Sequence, residues 1–268
     1  MIRKMEARGL RVLNTIFFVL MIFVNIAAEI LPLNNITTAE ASARHDTLLT
    51  PPGFTFAIWG VIYIWLFLFI LFQNGLFHKK GEGDNPDIIH AVSAFFIISS
   101  ILNISWIIAW HYEYISLSCI LIFSMWATLI FAYNRIKKEQ SSGREHFFIH
   151  MPFSIYLAWI SVAMTINFLA MIKEAAPQLM GLSETTWSMI LVIGIALMTE
   201  FILIRYRDFV FTFTVLWAVG GILYHYIVDI STQNQQPNML LLLAITIGVL
   251  LISLLITAWV QHYKPYMS

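Results

Sequence analysis

The chain is poor in charge and in cysteine. Only 11% of its 268 residues are charged and 59% are hydrophobic, whereas soluble domains carry roughly 25% charged residues. The single cysteine, Cys119, excludes an intrachain disulfide and a cluster of thiolate metal ligands. The formal net charge is zero, so the composition gives no reason to expect a nucleic-acid partner. Lipid, and not water, is therefore the main solvent that this composition fits.

The sequence fingerprints of common enzyme and cofactor sites are missing as well. The chain has no G-x-S-x-G, no H-E-x-x-H, no phosphate loop and no dinucleotide fingerprint. No lysine lies deep in an apolar run, which excludes a retinal Schiff base. We therefore expect no catalytic residues and no metal site, and we do not expect an enzyme.

What the chain does have is eight long apolar runs. Each is about twenty residues long, the length that a helix needs to cross about 30 Å of hydrocarbon. The runs are continuously apolar and do not alternate in polarity, so they indicate helices and not barrel strands. We predict an all-α integral membrane protein with about eight transmembrane helices, at 12–31, 54–73, 88–110, 115–133, 147–172, 187–204, 209–228 and 239–260.

Lysine and arginine give the predicted orientation, because cytoplasmic loops are enriched in both. With the N-terminus inside, only Arg44 and Lys173 of the 15 basic residues fall outside. We predict a protein of the plasma membrane with both termini in the cytoplasm. The inside residues are Arg3, Lys4, Arg8, Arg11, Lys79, Lys80, Arg135, Lys137, Lys138, Arg144, Arg205, Arg207 and Lys264.

The longest outer connection, residues 33–50, contains a good short helix former at Thr37–Arg44. A threonine can cap this helix, and Glu40 lies near its N-terminal end. A helix lying across the mouth of a bundle could act as a lid, and a plain solvated loop is the alternative.

Three predicted helices each carry aromatic residues on one face, because these residues recur at helical spacing. If the three faces meet, they line a cavity for a flat, largely apolar ligand. Plain packing, with the amides as hydrogen-bond partners between helices, is the other interpretation. The residues are Trp59 and Tyr63 on helix two, Asn103 and Trp106 on helix three, and Tyr156, Trp159, Ala163 and Asn167 on helix five.

The same residues occur in three recognisable motifs, which read PPGFTFAIWGVIY from Pro51, LNISW from Leu102 and YLAWISVAMTIN from Tyr156. Together they resemble the signatures of helices two, three and five in the TspO/MBR family, the tryptophan-rich sensory or translocator proteins. The first motif is one residue shorter between prolines and tryptophan. The resemblance covers roughly residues 10–172. It implies a five-helix core at 1–174, followed by a three-helix extension at 175–268.

The resemblance implies a function as well. The family binds porphyrins and other tetrapyrroles inside its five-helix bundle, so a hydrophobic ligand of this kind is the expected partner besides the bilayer. The pocket residues would be Trp106, Tyr156, Trp159, Ala163 and Asn167, with Trp59 and Tyr63 on the wall. The stretch from Phe168 to Lys173 lacks the tyrosine of the family's cholesterol-associated segment, which argues against a sterol ligand.

Other functions stay open at this point. Glu29 and Glu200 are the carboxylates most nearly embedded in apolar runs, so either could couple protons in a small-solute secondary transporter. Degradation of a bound porphyrin is a third function, although no acid–base constellation demands it. A homodimer is also compatible with the sequence.

Overall fold

The structure is a computed structural model that describes residues 2–31, 33–77, 86–139, 141–175, 181–228 and 236–263. Within these residues, eight helices are long and apolar enough to cross a membrane. They confirm the prediction of an all-α membrane protein. We number them as spans one to eight: Arg8–Ile30, Gly53–Gln73, Ile88–His111, Ile115–Ile136, Gly143–Glu174, Glu184–Tyr206, Phe209–Val228 and Pro237–His262.

The predicted runs agree with these spans to within about one helical turn at each end. Two very short links separate neighbouring spans at residues with positive φ. Glu113, after span three, has φ 61°, and Arg207, after span six, has φ 52°. The Arg207 N–H donates to Leu203 O, which closes span six, and Asp208 then caps span seven by accepting from Phe211 N. Lys79, Lys80 and Lys264, which support the predicted orientation, lie outside the described residues.

The chain forms two compact units, of which the first comprises Met1–Ala41 and Ala57–Ile160. In this unit span one packs against spans two and three, and span three packs against span four. A buried amide joins the first three spans, because Asn14 Nδ2 donates to Gln73 Oε1 at 2.8 Å and to Ser93 Oγ at 3.0 Å. Hydrogen bonds of this kind hold helices together in lipid, where no water competes for them.

The second unit comprises Ser42–Phe56 and Ser161–Ser268. Spans six, seven and eight pack against one another in pairs. The limits of the two units fall between Ala41 and Ser42 and inside spans two and five, so both of these spans contribute to both units. This grouping follows backbone packing, and the functional boundary at residue 174 stays a prediction.

The first outer connection contains the predicted short helix, at Thr38–Arg44. Thr37 caps it through a reciprocal pair of hydrogen bonds: Thr37 N donates to Glu40 Oε2 at 2.7 Å, and Glu40 N donates to Thr37 Oγ1 at 3.3 Å. Glu29 accepts a further hydrogen bond from Thr38 N at 3.1 Å. The helix is confirmed, and its action as a lid stays a prediction.

Candidate functional site

Five aromatic rings from spans two, three and five come together in the first unit. Helical spacing predicts that the rings of one span share a face, and whether the three faces meet was left open by the sequence. We call Trp59, Tyr63, Trp106, Tyr156 and Trp159 the aromatic cluster. Each pair on one span lies three or four residues apart, so both rings leave the helix on the same side. The relevant faces of the three helices therefore share one interior.

Trp59 is the centre of the aromatic cluster, because its ring contacts the other four. It stacks on Tyr63 at 5.5 Å between centroids and lies tilted against Trp106 at 5.9 Å. It meets Trp159 at 6.1 Å and Tyr156 at 6.2 Å, in both cases edge to face. These are the separations and angles that aromatic pairs prefer. The aromatic cluster is thus a set of flat rings packed around one indole.

Burial within the aromatic cluster is uneven. Trp59 is 9% exposed, Trp106 3%, Trp159 1% and Tyr156 0%. Tyr63 is the one ring of the five that is only half-buried. Tyr63 is therefore the ring of the aromatic cluster that is most open to the surroundings of the protein.

A chain of buried hydrogen bonds runs beside the rings and takes one side chain from each of the first five spans. Tyr63 OH donates to Asn25 Oδ1 at 2.7 Å, and Asn25 Nδ2 donates to Asn103 Oδ1 at 2.7 Å. Asn103 Nδ2 donates to Tyr156 OH at 3.2 Å, and this hydroxyl donates to Met125 Sδ at 3.1 Å. Two rings of the aromatic cluster are therefore fixed by the same polar chain.

For Asn103 the structure supports the packing interpretation that the sequence left open. Both ends of its fully buried amide are engaged by neighbouring helices. Its predicted role in ligand binding stays a prediction. Sequence reasoning did not identify Asn25 as its partner, although an amide inside an apolar run is costly in lipid unless it is bonded, and that cost is itself a signal.

Ala163 and Asn167 continue the face of Trp159 along span five, in the part that belongs to the second unit. Both are buried, at 7% and 3% exposure. Asn167 Nδ2 donates to Ala163 O at 3.1 Å, within its own helix. The structure places them on the predicted face, and their role as ligand contacts stays a prediction.

Glu29 and Glu200, the carboxylates most nearly embedded in apolar runs of the sequence, differ in their surroundings. Glu29 is exposed, and its carboxylate holds the start of the short helix at Thr38 N. Glu200 is half-buried, and its Oε1 has no hydrogen-bond partner within the described part of the chain. In that same part, no group of three or more histidine, cysteine or acidic side chains could hold a metal ion.

Comparison with known proteins gives one finding. A family model described as TSPO-like protein matches residues 11–259. The match extends beyond the motifs in spans two, three and five and takes in spans six to eight. No curated protein and no solved structure matches the chain. Because the match covers nearly the whole sequence, the chain belongs to the family of TSPO-like proteins.

Proposed function

We propose that the protein binds a flat, largely apolar ligand of the porphyrin class at the aromatic cluster and serves as a sensor or translocator for it. The observation that carries the proposal is the contact of the Trp59 ring with four other rings from three spans. Flat rings on rigid helices give a tetrapyrrole stacking surfaces at low cost in conformational entropy. Membership of the TSPO-like family supports the same ligand class.

Titration of the purified full-length protein with protoporphyrin IX tests this function. We expect saturable quenching of tryptophan fluorescence, because four of the nine tryptophans lie in the aromatic cluster or stack on it. Free N-acetyltryptophanamide at the same absorbance corrects for light absorbed by the porphyrin. Quenching that stays linear in porphyrin and equals that of the free amide would reject the proposal.

A secondary transporter for a small solute is the second candidate. The observation in its favour is Glu200, whose Oε1 is buried in span six without a hydrogen-bond partner in the described residues. Such a carboxylate could take up and release a proton. Glu29 fits this role less well, because it holds the backbone of the short helix. The porphyrin titration separates the two candidates, since a transporter for a small polar solute has no need of a saturable porphyrin site.

We further propose that the protein lies in the plasma membrane with both termini in the cytoplasm. The proposal rests on the distribution of lysine and arginine, with 13 of 15 on one side of the eight spans. An added N-terminal cysteine should react with an impermeant maleimide only after spheroplasts are opened. Labelling of this cysteine in intact spheroplasts would show that the N-terminus lies outside and would contradict the proposed orientation.

A further inference from the structure

A segment between spans one and two is tied to helices far along the chain. This segment, His45–Phe56, which we call the strap, belongs to the second unit together with spans six to eight. Its start is held by the end of span five, where Lys173 Nζ donates to Asp46 O at 2.6 Å and Glu174 pairs with His45. The strap is therefore not a free connection between two spans.

Both backbone groups of Leu48 are bonded by side chains of the C-terminal spans. Leu48 N donates to Glu184 Oε1, at the start of span six, at 3.0 Å. Leu48 O accepts from Tyr226 OH, near the end of span seven, at 3.0 Å. The strap itself is folded at this point, because Thr50 N donates to Thr47 O at 3.0 Å. Side chains of spans six and seven thus fix the backbone of this turn.

Further on, the strap lies against the middle of span seven. Trp217 Nε1 donates to Thr55 O at 3.0 Å. The ring of Phe54 lies edge-on to Trp217 at 6.0 Å and to Tyr224 at 5.4 Å. Trp217 precedes Tyr226 by nine residues, which is about 13 Å along a helix. The strap therefore runs along span seven from Tyr226 to Trp217. The carbonyl groups of Leu48 and Thr55 are bonded by this span, and an unbonded backbone carbonyl would be costly in lipid.

Span seven has a glycine where the strap comes closest. A Cβ added to Gly221 would lie 2.4 Å from Thr55 Oγ1, 3.0 Å from Cγ2 and 3.2 Å from Cβ. Rotation of the threonine does not relieve all three contacts, so a larger residue would push the backbone of the strap away. A Cβ added to the neighbouring Gly220 would meet nothing within 4 Å.

The strap leads directly into span two. The 3-10 helix Gly53–Ala57 is followed without a break by the α-helix that begins at Ile58. Thr55 lies four residues, or about one helical turn, before Trp59. A displacement of Thr55 would therefore reach Trp59 through about one turn of continuous helix.

We propose that spans six and seven act as a clamp on the strap and that this clamp positions Trp59 for ligand binding. Gly221, Trp217 and Tyr226 are its positioning residues. The clamp gives the C-terminal helices a function in holding the strap. Its effect on ligand affinity rests on the proposed function.

The test compares Gly221→Ala with its neighbour Gly220→Ala in the full-length protein. In Gly221→Ala we expect hydrogen–deuterium exchange of peptides covering residues 46–56 to rise about tenfold, because the strap loses its fixed backbone contacts. We expect the Kd for protoporphyrin IX to rise about threefold or more, since displaced rings stack less well. Gly220→Ala should match the wild type in both measurements.

A second substitution guards against general misfolding. Thr55→Ala removes two of the three atoms that an alanine at 221 would meet, so Gly221→Ala with Thr55→Ala should recover most of the protection from exchange. Equal exchange in both glycine variants would overturn the clamp. Increased exchange in Gly221→Ala with unchanged Kd would overturn the positioning of Trp59. If the wild type binds no protoporphyrin, the proposed function fails, while the exchange comparison still decides the clamp.

Discussion

Replacing Trp59 by leucine will weaken protoporphyrin binding about five- to 150-fold, because stacking of a flat ring on one aromatic side chain contributes about 1–3 kcal/mol. Trp59 has the largest expected effect because its ring touches all other members of the aromatic cluster. Binding is best followed by the Soret absorbance of the porphyrin, since removal of any tryptophan changes the protein fluorescence itself.

The matched control is Trp259→Leu on span eight, where the side chain is 58% exposed. This variant should bind protoporphyrin to within about twofold of the wild type, as expected of an exposed position. Far-ultraviolet circular dichroism must show that both variants keep their helices. Equal affinities in folded Trp59→Leu and Trp259→Leu would place the ligand away from the aromatic cluster.

Replacing Asn103 by leucine should destabilise the protein by about 1–2 kcal/mol, the upper range for hydrogen bonds between membrane helices. Leucine has the same branched shape as asparagine and is somewhat larger, so the substitution leaves no cavity and the expected cost is that of the lost hydrogen bonds. One N–H of Asn25 loses its acceptor, and Tyr156 OH loses a donor. Unfolding of the purified protein in mixed micelles measures the change.

Ser105→Ala provides the control on the same span. Its hydroxyl donates to Ile101 O of its own helix at 2.9 Å, so its loss should cost less than about 0.5 kcal/mol. If Asn103→Leu unfolds at the same denaturant concentration as Ser105→Ala, the buried polar chain contributes nothing to the stability of the first unit.

The spans and the aromatic cluster could be predicted because both follow from periodic features. A run of apolar residues is visible in the sequence without knowledge of any contact, and rings at i, i+3 and i+4 must share a helix face. The shared interior of Trp59, Trp106 and Trp159 needed one further assumption, that three aromatic faces avoid the lipid together. The structure confirms that assumption.

The clamp could not be predicted in the same way. Its contacts join residues more than a hundred positions apart, and two of its acceptors are the backbone carbonyls of Leu48 and Thr55. Backbone groups leave no trace in a sequence. Gly221 carried no signal either, because Gly220 looks identical in sequence and only one of the two faces the strap.

The family match bears on the three C-terminal helices as well. The sequence motifs lie only in spans two, three and five, so the motifs alone suggest an extension added to a complete core. The family model matches through residue 259 and includes spans six to eight. In the structure, side chains from spans six and seven hold the strap that leads to Trp59. The proposed action of these helices on the strap agrees with the extent of the family match.

A structure of the full-length protein with bound protoporphyrin IX, determined by electron cryomicroscopy, tests the central claim most directly. The account predicts a porphyrin plane in contact with the Trp59 and Tyr63 rings in the first unit. Porphyrin density found only on the lipid-facing surface, or only among spans six to eight, would contradict it.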